Sequence, residues 1–271
     1  MKIIEQFLQG KRQDPKKCED GLLVGENFIA VIDGVSSKGA YKWEGEYASG
    51  AHAKNIIIAE LEKMPADIER DALFESLNRA LCEEYLKSGM EPDKNNFLRA
   101  CLLVYSRHYN EIWALGDCQC LINGEHFSSP MLVDDLLSDL RAFVIESAKI
   151  TDGLDESSLY TDDIGRQAVF PFIQKQYAFE NRADSPFGFG VLNGFDNCDA
   201  FIKTYKVTAG DTVVMASDGY SKLLPTLEQS EKELANMLKN DPLRYKQNRG
   251  TKGIEKGNLS FDDRCYVRFE V

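Results

Sequence analysis

Long apolar runs are missing from this sequence. No stretch of its 271 residues stays apolar long enough to span a bilayer, and the opening MKIIEQFLQGKRQD is too brief in apolar residues for a signal peptide. The expected location is therefore the cytoplasm. Basic charge is scarce as well: 32 Lys and Arg stand against 44 Asp and Glu, a formal net charge of −12. That balance repels phosphate backbones and anionic lipid surfaces, so neither nucleic acid nor membrane is the expected partner. It suits a protein that gathers divalent cations. Zinc-like cysteine spacing is absent too. The seven cysteines are odd in number and scattered through apolar stretches, and DCQC separates Cys118 from Cys120 by a single residue. They read as small core residues in a reducing compartment. The three histidines, His52, His108 and His126, fall in no chemical motif and read as structural or surface residues. There is no internal repeat, low-complexity tract or Pro-rich linker, so one domain over residues 1–271 is the simplest organisation.

What is present is a large apolar fraction, 43%, arranged in blocks. GLLVG (21–25) and NFIAVIDG (27–34) read as a hairpin. A helix is expected over about 45–64, with Ala53, Ile57, Leu61 and Met64 on one face, and another over 69–87. Residues 97–107, 110–117 and 118–124 form a β-rich meander. From Pro130 to about Arg182 the pattern is helical, with Val133, Leu136, Leu137, Leu140 and Val144 as a stripe, which gives a helical insertion at about 130–185. Strand, turn and strand follow at 201–221, then a helix at 227–239 and a closing strand. SPFGFGVLNG (185–194) reads as a packed loop, with a place on the rim of a site as the alternative. Blocks of strands and helices, instead of strict alternation, predict an α+β fold with antiparallel sheets.

The acidic residues fall at the mouths of these strands. Asp33 follows FIAVI, Asp117 follows IWALG, Asp218 follows VVMAS, and Asp262 and Asp263 precede CYVRF; Glu19 and Asp20 stand just ahead of GLLV. A strand end is a costly place for an unpaired charge, and few basic residues lie next to these in the chain. Hard divalent cations would supply the missing charge, and all-carboxylate ligation selects magnesium or manganese over zinc. Two such ions about 3.5–4 Å apart serve phosphoryl chemistry by activating a water and screening phosphate charge. The glycines after Asp33 and Asp218 would let the backbone turn tightly beside a metal.

CEDGLLV, AVIDG, ALGDCQCLI, VVMASDGYSKLL and DDRCYVRF occur in the order found in the metal-dependent Ser/Thr protein phosphatase family, protein phosphatase type 2C, which the chain resembles from about Gly10 to Phe269. The resemblance implies a four-layer α-β-β-α sandwich, two antiparallel sheets flanked by helices, with a binuclear manganese or magnesium centre at one end. Carried over by motif, Asp33 would bridge two metals with the Gly34 carbonyl as a further ligand. Asp218 and Asp262 would bind one metal and share the catalytic role with Asp33. Asp20 would hold waters on the other metal, with Glu19 beside it, and Asp117 would serve a third, weaker site. Arg12 would bind phosphate, with Lys11 or Lys38 sharing that work because RQDPKKCED is longer than the usual spacing. Val35 stands where relatives often carry His, Cys118 follows Asp117 in place of Ser, and Cys265 replaces Ser or Thr.

The expected activity is dephosphorylation of phosphoserine or phosphothreonine in a phosphorylated protein substrate. A small-molecule phosphohydrolase or a two-metal nuclease could use the same carboxylates, the nuclease being disfavoured by the negative charge. A non-catalytic phosphatase-like regulator is the third reading, although such a protein would normally have lost a ligand carboxylate.

Overall fold

The computed structural model describes residues 1–43, 48–89 and 93–271. Ten strands among them are β1 (Lys2–Gln9), β2 (Asp20–Val24), β3 (Phe28–Val35), β4 (Arg99–Ser106), β5 (Glu111–Leu115), β6 (Gln119–Ile122), β7 (Glu125–Phe127), β8 (Lys203–Lys206), β9 (Thr212–Ala216) and β10 (Arg264–Glu270). Five α-helices accompany them: α1 (Ser49–Leu61), α2 (Arg70–Ser88), α3 (Leu132–Thr151), α4 (Ile164–Lys175) and α5 (Leu227–Asn240). The strands form two five-stranded antiparallel sheets, in the orders β1-β10-β9-β6-β7 and β2-β3-β4-β5-β8.

The continuous apolar run of β3 follows from its place between two cores. Ala30 and Ile32 face α1 and α2, in a cluster with Ile57, Leu61, Leu77 and Leu81. Ile29 and Val31 face the opposite way, toward Met215, Val267 and Phe269 of the other sheet. A strand covered on both faces has no polar side to show. The outer face of the other sheet carries Val214, Ala216 and Tyr266, packed with Tyr220, Leu223 and Leu227 at the start of α5. The result is an α+β sandwich of two antiparallel sheets with helices outside.

Several sequence expectations shift. The meander does not stay in one sheet: β4 and β5 pair, but β6 crosses to the other sheet and pairs with β9. Likewise β8 and β9 lie in different sheets. Residues 2–9, given no strand from sequence, form β1 against β10. One face of β1 is exposed at every second residue, so its apolar signal is diluted. The first helix begins at Ser49, and the expected start at Gly45 lies outside the described residues. The helical block is α3 and α4 with one 3₁₀ turn between them and another after α4. On α3 the buried side is Val133, Leu137, Arg141, Ile145 and Ala148, whereas Leu136 and Leu140 of the expected stripe face solvent. The helix buries the row spaced at four residues through the small and charged positions, and an apolar count alone picked the neighbouring row. Val133 and Leu137, with Val169 and Ile173 of α4, close one end of the inter-sheet core. All seven cysteines are free.

Candidate active site

Period-two alternation aims Asp33. Ile29 and Val31 point between the sheets, so Asp33 does too, where the strand reaches the end of the sandwich. Antiparallel pairing then brings Asp20 directly opposite Asp33, and Cys101 opposite it on the other side. Asp117 lies where the chain leaves β5 and crosses to β6, Asp218 lies two residues beyond β9, and Asp262 two before β10. All of these strand ends meet at one end of the molecule. Asp33, Asp117, Asp218 and Asp262 line a single cavity of about 670 Å³, together with Gly34, Val35, Lys11, Arg12 and Lys38.

The carboxylates fall into two electrostatic groups. Burial, and then repulsion from Asp218 and Asp20, holds Asp33 well above the ordinary carboxylate range. Asp218 is pushed up to about 7 by burial and by Asp262 and Asp117, and Asp117 to about 6 by burial and by Asp134. Asp20 is raised by burial despite a hydrogen bond from Ser217 Oγ to its Oδ2. Asp262 behaves in the opposite sense. Burial would raise it, but Lys252 and Lys11 outweigh that and hold it below the usual range. Lys11 Nζ donates to Asp262 Oδ1 at 2.8 Å, and Lys252 pairs with Oδ2. Basic partners that the linear sequence keeps far away thus arrive through the fold.

Neighbouring acids have different work. Asp263 accepts from the backbone N–H groups of Lys11 (2.6 Å) and Glu19 (2.8 Å), which ties β10 to the start of β2. Glu19 accepts from Ser36 Oγ at 2.7 and 2.6 Å and from the Gly50 N–H at 3.2 Å. Asp20 is buried and is not among the residues lining the cavity. Gly34 is part of a strand, not of a turn: a Cβ there would sit 2.1 Å from the Gly50 carbonyl oxygen, so glycine lets α1 pack against β3. Gly219 is required in the same way by the Asp263 carbonyl oxygen, 1.9 Å from a Cβ built there. Close backbone approach explains both glycines; at Gly219 the chain also turns, as expected, whereas at Gly34 it does not.

The sequence did not disclose four residues of this cavity. Asp134, from the first turn of α3, is raised to about 6 by burial and by Asp218. Arg166 of α4 and Arg244 and Lys252 of the loop after α5 also line it. Nothing in MLVDDLL or PLRYKQNRGTKG marks these positions, because the fold alone brings them to the strand ends. His126 reaches the cavity and is bonded to Gln119 at 3.0 Å. His52 pairs with Glu84. Phe189 and Val191 of SPFGFGVLNG line the cavity as well, so that packed loop is also part of the rim.

Among the described residues no three Asp, Glu, His or Cys side chains are grouped closely enough to hold a metal ion as they stand. The chemistry of the donor set nevertheless fits hard cations. Asp33, Asp117 and Asp218 share a cavity, repel one another, and have no lysine or arginine at ion-pair distance among the described residues. Such a set gains most from a divalent ion.

No family model matches the chain, and no curated protein matches it. Solved structures do. The serine/threonine phosphatase PstP/Ppp of Mycobacterium tuberculosis matches over 99% of each chain at a TM-score of 0.50 and 14% identity. The PstP catalytic domain in complex with two manganese ions matches over 100% of each chain, at 0.50 and 14%. The serine/threonine phosphatase Stp1 of Staphylococcus aureus covers 98% of this chain and 94% of its own, at 0.50 and 12%. The chain has the protein phosphatase type 2C fold. In this fold the cavity carboxylates Asp33, Asp117, Asp218 and Asp262 come from four separate strand ends and crossings that sequence places up to 229 residues apart, between Asp33 and Asp262.

Proposed function

We propose that this chain is a metal-dependent phosphomonoesterase acting on phosphoserine or phosphothreonine in proteins. The observation that supports it best is the crowding of Asp33, Asp117 and Asp218 into one cavity of a type 2C fold, each held above its ordinary pKa for want of a counter-charge. Asp33, the Gly34 carbonyl, Asp218 and Asp262 would hold the ions, Asp33 centrally among them. Asp117 would serve a third, weaker ion, while Asp20, opposite Asp33 in the sheet and behind the cavity wall, would act on the site through Asp33's surroundings. Manganese or magnesium bound there supplies an activated water and screens phosphate charge.

The chain's own residues do the rest. Ser217 fixes Asp20 while also accepting from the Cys265 N–H at 3.0 Å, so the carboxylate's direction is tied to the start of β10. Lys11 and Lys252 hold Asp262 ionised until a ligand replaces one of them. Val35 lines the cavity and has no titratable proton to donate, so protonation of the leaving alkoxide falls to another group or to water.

A second reading has support in the cavity itself. About 670 Å³ is the size of a small-molecule pocket, which favours a low-molecular-weight phosphomonoester as the alternative substrate. Comparing kcat/KM for a phosphothreonine peptide with that for phosphothreonine alone, in manganese, decides between them. A protein phosphatase gives a peptide preference of at least about tenfold. Equal values would assign the chain to small phosphomonoesters.

A further inference from the structure

Arg244 is held with unusual care for a residue in a loop. Asp241 collects the backbone N–H groups of Tyr245, Lys246, Gln247 and Asn248, which curls the chain just after α5. Arg141, wholly buried on α3, donates to the carbonyls of Leu243 (2.9 Å), Arg244 (3.0 Å) and Gly250 (3.0 Å) and pairs with Asp163 at 2.6 Å. These ties maintain Arg244 at φ +49°, a left-handed conformation uncommon for a residue with a side chain. The guanidinium lies 3.8 Å over the ring of Phe261. Gly250 leaves it room: a Cβ at that position would come within 2.7 Å of Arg244 Cζ.

This positioned guanidinium has no acceptor among the described residues. Among the described residues the Arg244 side chain makes no ion pair and no hydrogen bond, and its Nε is buried and unpaired. Asp218 and Asp262 lie within its electrostatic field but not at ion-pair distance. A guanidinium nitrogen buried without an acceptor is costly, yet the backbone ties, a ring and a glycine keep this half-buried side chain at the cavity. Lys38 and Arg166 line the same cavity, and neither pairs with a carboxylate among the described residues. Arg12, in contrast, is exposed at the rim.

We infer that Arg244 is the residue that grips the phosphoryl group, its fork taking two phosphate oxygens beside the carboxylates, with Lys38 and Arg166 of the same cavity adding charge. This rests on the phosphomonoesterase reading for its substrate class, but its test does not. The ligand probed is inorganic phosphate, titrated by calorimetry into the whole chain in saturating manganese, alongside KM and kcat for p-nitrophenyl phosphate. Arg244→Gln weakens phosphate binding roughly ten- to hundredfold and raises KM with little change in kcat. Arg244→Lys recovers part of the loss, since an ammonium keeps the charge without the fork. Gly250→Ala, which displaces the guanidinium without removing it, weakens phosphate as well. Arg12→Gln leaves phosphate affinity within about twofold. Thermal melts show which variants are folded, and Arg244→Lys and Gly250→Ala carry the test if Arg244→Gln is not. Unchanged phosphate affinity in the folded Arg244 and Gly250 variants, or no phosphate binding by the wild-type chain, overturns the inference. If phosphate binding depends on Arg244 but no ester is hydrolysed, the grip stands and the phosphomonoesterase reading falls.

Discussion

The pKa pattern at the strand ends has a consequence for stability. Asp117 and Asp134 are held up to about 6 and Asp218 to about 7, against ordinary values near 4. In that window the folded chain retains protons that the unfolded chain has released. Stability of the metal-free protein therefore falls as pH rises from about 4 to about 7, the reverse of the usual salt-bridged carboxylate. Asp262, held low by Lys252 and Lys11, contributes in the opposite sense and only at more acidic pH. A divalent ion replaces the retained protons, so manganese should raise the melting temperature more at pH 7.5 than at pH 5. Melting curves across pH in chelator and in manganese check this; a metal-free melting temperature that climbs steadily from pH 5 to 7 would contradict it. The carboxylates themselves were legible in sequence, because an Asp ending a wholly apolar run is conspicuous. Arg244, Arg166, Lys252 and Asp134 were not, since each sits in an ordinary helix or loop stretch and acquires meaning only through contacts made far along the chain.

Elements explain which glycines matter and why. Gly34 faces α1 while Asp33 faces the inter-sheet space, so one dipeptide serves helix packing and the site at once. Gly34→Ala would drive a methyl into the Gly50 carbonyl, and neither backbone can swing aside as a side chain could. The expected cost is about 3 kcal/mol, with loss of manganese affinity as β3 shifts. Chemical denaturation and metal titration of that variant measure both; a loss of under about 0.5 kcal/mol would show that α1 can move freely. At this scale the sequence was readable for α2 and α5, whose apolar spacing marks them within a residue or two. It was not readable for the crossing from β5 to β6. A Gly116-Asp117 turn between two apolar runs looks the same whether the next strand pairs with its predecessor or joins the other sheet. β1 was lost for a related reason: an edge strand with one exposed face carries half the signal of a buried one.

Over the whole molecule the charge is divided by place. The chain carries −12 overall, yet Lys11, Lys38, Arg166, Arg244 and Lys252 line the same cavity as Asp33, Asp117, Asp218 and Asp262. On the phosphomonoesterase reading, a net negative charge that repels polyanions surrounds basic residues that would meet a single phosphate, which suits a phosphomonoester better than a nucleic-acid backbone. No helix among the described residues is long and apolar enough to cross a membrane. The central claim is that strand-end carboxylates centred on Asp33 bind the divalent ions that drive hydrolysis. Its most direct test is hydrolysis of a phosphothreonine peptide by wild-type and Asp33→Ala protein, each stripped with chelator and titrated with manganese. The account predicts no turnover in chelator, recovery of the wild-type with manganese, and a loss of about a thousandfold or more in Asp33→Ala at every manganese concentration. Wild-type turnover that persists in chelator, or an Asp33→Ala protein as active as the wild-type, would contradict it.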